Sequence, residues 1–412
     1  MTSSVFIFVV VYLGMILGSL PFLQLDRTGI ALLGAIALLV TRSVTLEQAE
    51  QAVHVPTLIL LFSFMVVAAQ LRMGGFYDWV TWKLGDLPLS PRAFLAGLIL
   101  LVGVLAAVFS NDVVCLSIAP ILIDVCERRR LHPVPYLLAL ACAANIGSAA
   151  TLIGNPQNML IGARLQLDFN GYLLEAALPV LVGLGLSWWV IQARWQGRWL
   201  LPGENVYPAE ATQRQNCHPL DRWQSFKGLV MAALLFGLFL SYDGPRDLLA
   251  LGAAGILLLS RKLHSNMMLG LVDWQVLLLF IGLFIVNAAF EQTGLPAVWV
   301  QQLAERGIDL HQSGWLFVAT FVLSNLVSNV PAVMLLLPVT DPSQGVLLAL
   351  ASTLAGNLLI VGSIANIIVV DAAIRRKIKL SWVEHARVGF PVTLLTLGIS
   401  ALWLIEGPLM RR

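Results

Sequence analysis

The sequence predicts an all-α polytopic membrane protein: two inverted repeats of five spans, each with a re-entrant hairpin and a broken helix. Three observations predict it. The composition is too apolar for a chain folded in water, the apolar runs are interrupted at matching places in the two halves, and the basic residues fall mostly on one side.

Hydrophobic residues fill 58% of the 412 positions and charged residues 12%, with a mean hydropathy of +0.84. A soluble domain runs near 45–50% apolar and about 25% charged, so most of this chain must lie in lipid. The formal net charge of +2, without a basic run, argues against nucleic acid as a partner. Cys115, Cys126, Cys142 and Cys217 show no C-x-x-C spacing; three sit in apolar segments and read as small hydrophobes, not a disulfide framework. The start, Met1-Thr2-Ser3-Ser4-Val5-Phe6, carries no Lys or Arg before its apolar run. It lacks the basic start of a signal peptide, and the first run is expected to remain a span.

Uninterrupted apolar runs cover 4–22, 28–42, 53–71 and 171–193 in the first half, and 228–241, 246–260, 273–290 and 390–407 in the second. Four more are broken by polar residues in mid-run: 92–126, 134–167, 313–339 and 345–373. The expected division is a first membrane repeat over 1–193, a polar cytoplasmic linker over 194–226 and a second membrane repeat over 227–412. Hairpin 92–126 and broken helix 134–167 belong to the first repeat, and hairpin 313–339 and broken helix 345–373 to the second. The halves match internally. Phe64-Met65-Val66-Val67-Ala68-Ala69 corresponds to Phe284-Ile285-Val286-Asn287-Ala288-Ala289, Ser110-Asn111 then Pro120 to Ser328-Asn329 then Pro338, and Gly154…Asn158 to Gly362…Asn366.

If each hairpin enters and leaves on one side, each half has five spans, and an odd number inverts the second half relative to the first. With the N-terminus outside, 19 of the 25 basic residues then fall on one side and 6 on the other. The richer side is cytoplasmic. Both termini are therefore expected to be extracytoplasmic, in an inner membrane.

Non-helical backbone at membrane depth is tolerated only when buried in protein or facing a wet cavity. Asn111 and Asp112, Asn155, Asn329 and Ser363 are N-cap types at the four breaks, with Pro156 and Pro331 where a first turn accepts proline. A half-helix starting there aims free N–H groups and its positive end inward, which suits an anion. Matched breaks in two halves point to a transporter site at the midplane. The expected substrate- or ion-binding set is Ser110, Asn111, Asp112, Gly154, Asn155, Asn158, Ser328, Asn329, Gly362, Ser363 and Asn366. Asp112 is the one acidic residue at a break; Asp124, Glu175 and Asp371 fall near span ends, where water is expected to reach them. An intramembrane carboxylate is a functional candidate, with a plain helix cap as the alternative. The six histidines all fall in loops or near span ends and no H-E-x-x-H occurs, which argues against an intramembrane enzyme.

At these residues the chain resembles the ion transporter superfamily of arsenite permeases, NhaD-type antiporters and divalent anion symporters. Phe109-Ser110-Asn111-Asp112-Val113-Val114 is similar to the arsenite-permease hairpin, and Ser328-Asn329-Val330-Pro331 to the second hairpin tip of that branch. The run from Asn145 to Asn158 looks most like the YbiR-type anion permeases. The resemblance implies a scaffold and a transport domain, a homodimer and elevator-like alternating access. The expected activity is secondary transport of a small anion or oxyanion, an arsenite-type solute included, coupled to H+ or Na+ without a resident cofactor or metal. Sodium/proton antiport is the alternative.

Overall fold

The computed structural model describes residues 2–18, 25–200, 219–242, 244–260 and 262–406. Cys217 and positions 201–218 of the expected linker lie outside them. Among the described residues the structure is helical, with one isolated β-bridge between Leu131 and Leu200.

The helices of the first half have counterparts in the second, in the same order. Helices α1 (Thr2–Leu17), α2 (Arg27–Val40), α3 (Leu46–Ala52), α4 (Val55–Met73) and α5 (Phe76–Asp86) precede the first hairpin, α6 (Pro91–Val108) and α7 (Asn111–Arg128). The first broken helix is α8 (Pro133–Ser148) and α9 (Pro156–Arg164), followed by α10 (Phe169–Trp195). The second set runs α11 (Arg222–Ser241), α12 (Arg246–Leu258), α13 (Ser265–Leu269), α14 (Trp274–Glu291) and α15 (Leu295–Glu305). Then come hairpin α16 (Ser313–Val327) and α17 (Asn329–Leu336), broken helix α18 (Gly345–Ala355) and α19 (Ile364–Arg375), and α20 (Trp382–Ala401).

Packing repeats the same exchange. α2 packs on α14 and α12 on α4; α7 packs on α19 and α17 on α9; α10 and α20 pack on each other. Swapping the two halves maps this set of contacts onto itself, as a two-fold relation between inverted repeats requires. The contacts also sort the helices into two groups. α1, α2, α4, α11, α12 and α14 pack mainly together, and so do the hairpins, the broken helices, α10 and α20.

Six helices are long and apolar enough to cross a bilayer, among them α4, α10, α14 and α20. Large apolar side chains stand on the outer surface of the bundle: Leu100, Leu181 and Leu234 are 61%, 64% and 54% exposed. At the centre every residue of α8 is buried, so α8 never meets lipid. The expected run 390–407 begins earlier, at Trp382, because Ser381 and Glu384 form a capping box that carries the helix into its polar first turns. The short helices α3 and α13 were not expected, although Thr45 and Gln48 form the same box at the start of α3.

Candidate functional site

Four helices begin at one place. The starts of α7 (Asn111, Asp112), α9 (Pro156, Gln157), α17 (Asn329, Val330) and α19 (Ile364), with the caps Ser328 and Ser363, line a single small cleft. Its free space is about 20 Å³, room for about one water. Each helix start carries roughly half a positive charge in unpaired N–H groups, so the cleft is built to attract negative charge. Asp112 is the one carboxylate on its wall. Among the described residues its side chain makes no hydrogen bond or ion pair; its backbone N–H donates to Asn111 Oδ1 (3.0 Å). Asp273, the N-cap of α14, lies close enough to act on it electrostatically.

The caps differ from expectation by one residue. Ser110, not Asn111 or Asp112, is the N-cap of α7, and Ser328, not Asn329, that of α17. Asn111 and Asn329 fall inside the first turn because each tip turns one residue earlier, which frees both amides for tertiary bonds. The backbone N–H of Asn111 donates to the Gly154 carbonyl (3.1 Å), and the side-chain amide of Asn329, oriented with its nitrogen toward them, donates to the Gly362 (3.2 Å) and Ser352 (2.9 Å) carbonyls. Each hairpin tip is thus tied to the break glycine of its own repeat. Asn155 does cap α9 as expected, accepting from Asn158 N–H (2.9 Å). Ser363 caps α19 by position, and its hydroxyl donates instead to Asn145 Oδ1 (2.9 Å).

Behind the cleft the two repeats interlock. Asn158 Nδ2 donates to the Thr151 carbonyl (3.0 Å) and the Ser148 carbonyl (3.4 Å), and Asn366 Nδ2 to the equivalent Leu359 (3.0 Å) and Gly356 (2.7 Å) carbonyls. These amides close the carbonyls that each break leaves open. Asn155 Nδ2 donates across to Thr353 Oγ1 (3.2 Å), which itself donates to Asn158 Oδ1 (3.3 Å). At the equivalent place Asn145 accepts from Ser363 and Asn111 (3.1 Å) and donates to Asn366 (3.1 Å) and Asn357 (2.9 Å). Each repeat's break is held by a polar residue of the other.

Of the expected set, Asn111, Asp112, Ser328, Asn329 and Ser363 stand on the cleft wall. Ser110, Gly154, Asn155, Asn158, Gly362 and Asn366 do not; they are buried behind it or shape its backbone. A Cβ on Gly154 would sit 2.2 Å from the Ser148 carbonyl oxygen, so only glycine fits there. Sequence reasoning missed Gln157, Asn145, Thr353 and Asn357. A polar residue at mid-run inside α8 and α18 was the available signal.

His385 falls near the start of α20, as expected, but is only 2% exposed, and its Nε2 lies 3.1 Å from the Asn357 carbonyl at the second break. Tyr172 fills the matching place at the first break, donating to the Ala149 carbonyl (2.8 Å). Asp124 is also not bathed in water: its side chain is 13% exposed and pairs with Arg376 at 2.6 Å, tying α7 to the end of α19.

Paired hairpins, paired broken helices and one polar centre within an apolar bundle define a multi-pass membrane transporter of the anion-permease type. The chain belongs to the CitMHS citrate transporter family, whose model matches residues 6–346. It is 28% identical to the silicon efflux transporter LSI3 of rice over 93% of both chains. It is 30% identical to the inner membrane protein YbiR of Escherichia coli, over 78% of this chain and 81% of that one. In fold it resembles the crystal structure of the Alcanivorax borkumensis YdaH transporter, with a TM-score of 0.59 at 14% identity, over 98% of this chain and 97% of that one.

Proposed function

We propose that this protein is a secondary active transporter that moves a small anion or oxyanion across the inner membrane by alternating access. The convergence of four helix starts on one cleft carries the reading. Together they present roughly two positive charges' worth of dipole to one small polar cleft, which favours an anion over a cation. The names of relatives supply candidates: citrate for the family and silicon for the rice transporter. The resemblance to arsenite permeases adds an arsenite-type solute. Both termini lie outside and the chain works as a homodimer.

Coupling is assigned to Asp112, with H+ or Na+ as the coupling ion. A carboxylate without a protein partner at a cationic helix start is free to answer to whatever enters the cleft. The test is flux in proteoliposomes with citrate, silicate, arsenite, phosphate-like oxyanions and dicarboxylates, under imposed pH or sodium gradients. Saturable uptake of one of these is expected. Sodium/proton exchange with no anion flux would overturn the reading. Asp112→Asn is expected to abolish gradient-driven flux while leaving equilibrium exchange of the same solute. Ser110, not Asp112, caps α7, so the substitution costs no cap bond, and unchanged gradient-driven flux would remove Asp112 from coupling.

A further inference from the structure

Helices α2 and α12 occupy equivalent places in the two repeats, and each opens on an arginine, Arg27 and Arg246. Arg27 reaches out of its own group of helices. Its Nη2 donates to the Val361 carbonyl (3.3 Å), in the turn between α18 and α19, one residue before Gly362. The equivalent carbonyl in the first repeat is that of Ile153, one residue before Gly154. Arg246 is not on it. Arg246 Nη1 donates to the Leu167 carbonyl (2.7 Å) and Nη2 lies 3.9 Å from the Asp168 carboxylate. Arg246 and Ile153 both line a cleft of about 430 Å³ between the two groups of helices.

One arginine–break contact is therefore made and its counterpart is open. Beyond the breaks the matched surfaces differ as well: Leu165 at the end of α9 is half-buried and lines a second cleft of about 440 Å³ while its equivalent on α19, Ala373, is fully buried, and Ala163 is half-buried while its equivalent, Asp371, is exposed. Two sequence-related halves in two different arrangements are what a carrier with inverted repeats shows when open on one side only. Exchanging the arrangements opens the other side.

We propose that Arg27 and Arg246 are the two halves of one latch. Each conformation places one of them on the break carbonyl of the opposite repeat: Arg27 on Val361 here, Arg246 on Ile153 in the other. This rests on the alternating access proposed above. Both are positioning residues. A guanidinium on the break holds the adjoining half-helix start in register with the fixed group, and a charge-assisted bond of this kind is about twice as strong as a neutral one.

The test is the rate at which a membrane-impermeant maleimide modifies a single cysteine in the full-length protein, in right-side-out vesicles for the reporter beside α9 and inside-out vesicles for the one on α19. Cys217→Ser removes one native thiol, and the other three are buried. Ala163→Cys reports on the cleft beside α9 and Ala373→Cys on the buried end of α19. Arg27→Gln is expected to slow the first reporter and quicken the second by about tenfold or more, the size of one lost hydrogen bond to a charged group. Arg246→Gln is expected to move both the opposite way. Arg27→Lys keeps a donor and is expected to stay near the parent, which separates the latch from loss of packing. If Arg27→Gln leaves both rates unchanged, or if the two glutamine variants shift the reporters in the same direction, the latch is overturned. A bulky maleimide on Ala163→Cys wedges that cleft open. Protection of Ala373→Cys is then expected, and full reactivity there would sink alternating access itself, whatever the arginines do.

Discussion

Ser328 holds a backbone conformation, φ 76° and ψ 163°, that is close to glycine's own. Such a seat costs a serine on the order of 1–3 kcal/mol, whereas Ser110 at the matching tip sits at an unstrained φ of −50°. The strain falls on a residue that lines the cleft, where a hydroxyl held at the tip is worth keeping. Ser328→Gly is expected to raise thermal stability by about 1 kcal/mol net of the glycine's chain entropy and to weaken solute binding. Melting in detergent and half-saturating solute concentration measure the two. A variant that binds as well as the parent would deny the hydroxyl a part in the site. The tip residues were legible from the sequence because Ser-Asn repeats with its spacing to proline. Asn145 and Thr353 were not, since one polar residue inside an apolar helix looks the same whether it packs or bridges. Only the fold shows that their bonds cross between repeats.

Among the elements, the hairpins and broken helices were readable because polar residues at mid-run have few other reasons to exist in lipid. Helix starts were readable to within a turn. They slipped where hydropathy and capping disagree, as at α20, whose polar first turns carry Glu384, His385 and Arg387. Close helix packing was not readable, because a glycine that admits a neighbour and one that faces lipid look alike. Gly147 is of the first kind: a Cβ there would meet the Gly103 carbonyl oxygen at 2.4 Å, joining α8 to α6 backbone to backbone. Gly185 is of the second, with nothing within 4 Å. Gly147→Ala is expected to force α6 away from α8 and to lower the melting temperature by several degrees. Gly185→Ala is expected to raise it slightly, by up to about 1 kcal/mol of helix propensity. Equal melting of the two variants would mean that α6 and α8 are not locked by that contact.

At the scale of the whole molecule, the inverted arrangement was legible from the parity of the spans and the 19-to-6 division of basic residues. The asymmetry between the halves was not, because two sequences related by duplication do not announce which of them is open. The orientation proposed from charge is testable. A cysteine at Gln166, exposed beyond α9, is expected to react with an impermeant reagent on intact cells, and one at Lys379, exposed beyond α19, only after the cells are opened. The reverse result would invert the assignment of sides.

The crossed amides also set a timetable for synthesis. Asn145 waits for Asn357, 212 residues downstream, and for Asn366, 221 residues downstream. At roughly 5–20 residues per second, the ribosome takes about 10–40 s to deliver them. For that interval the bonds within the first repeat can form, but the Asn145 amide nitrogen and the Asn158 amide oxygen lack the partners that the second repeat brings. Assembly of this carrier is thus paced by translation of its second half, and a chain stalled between the repeats exposes the very groups that later form its centre.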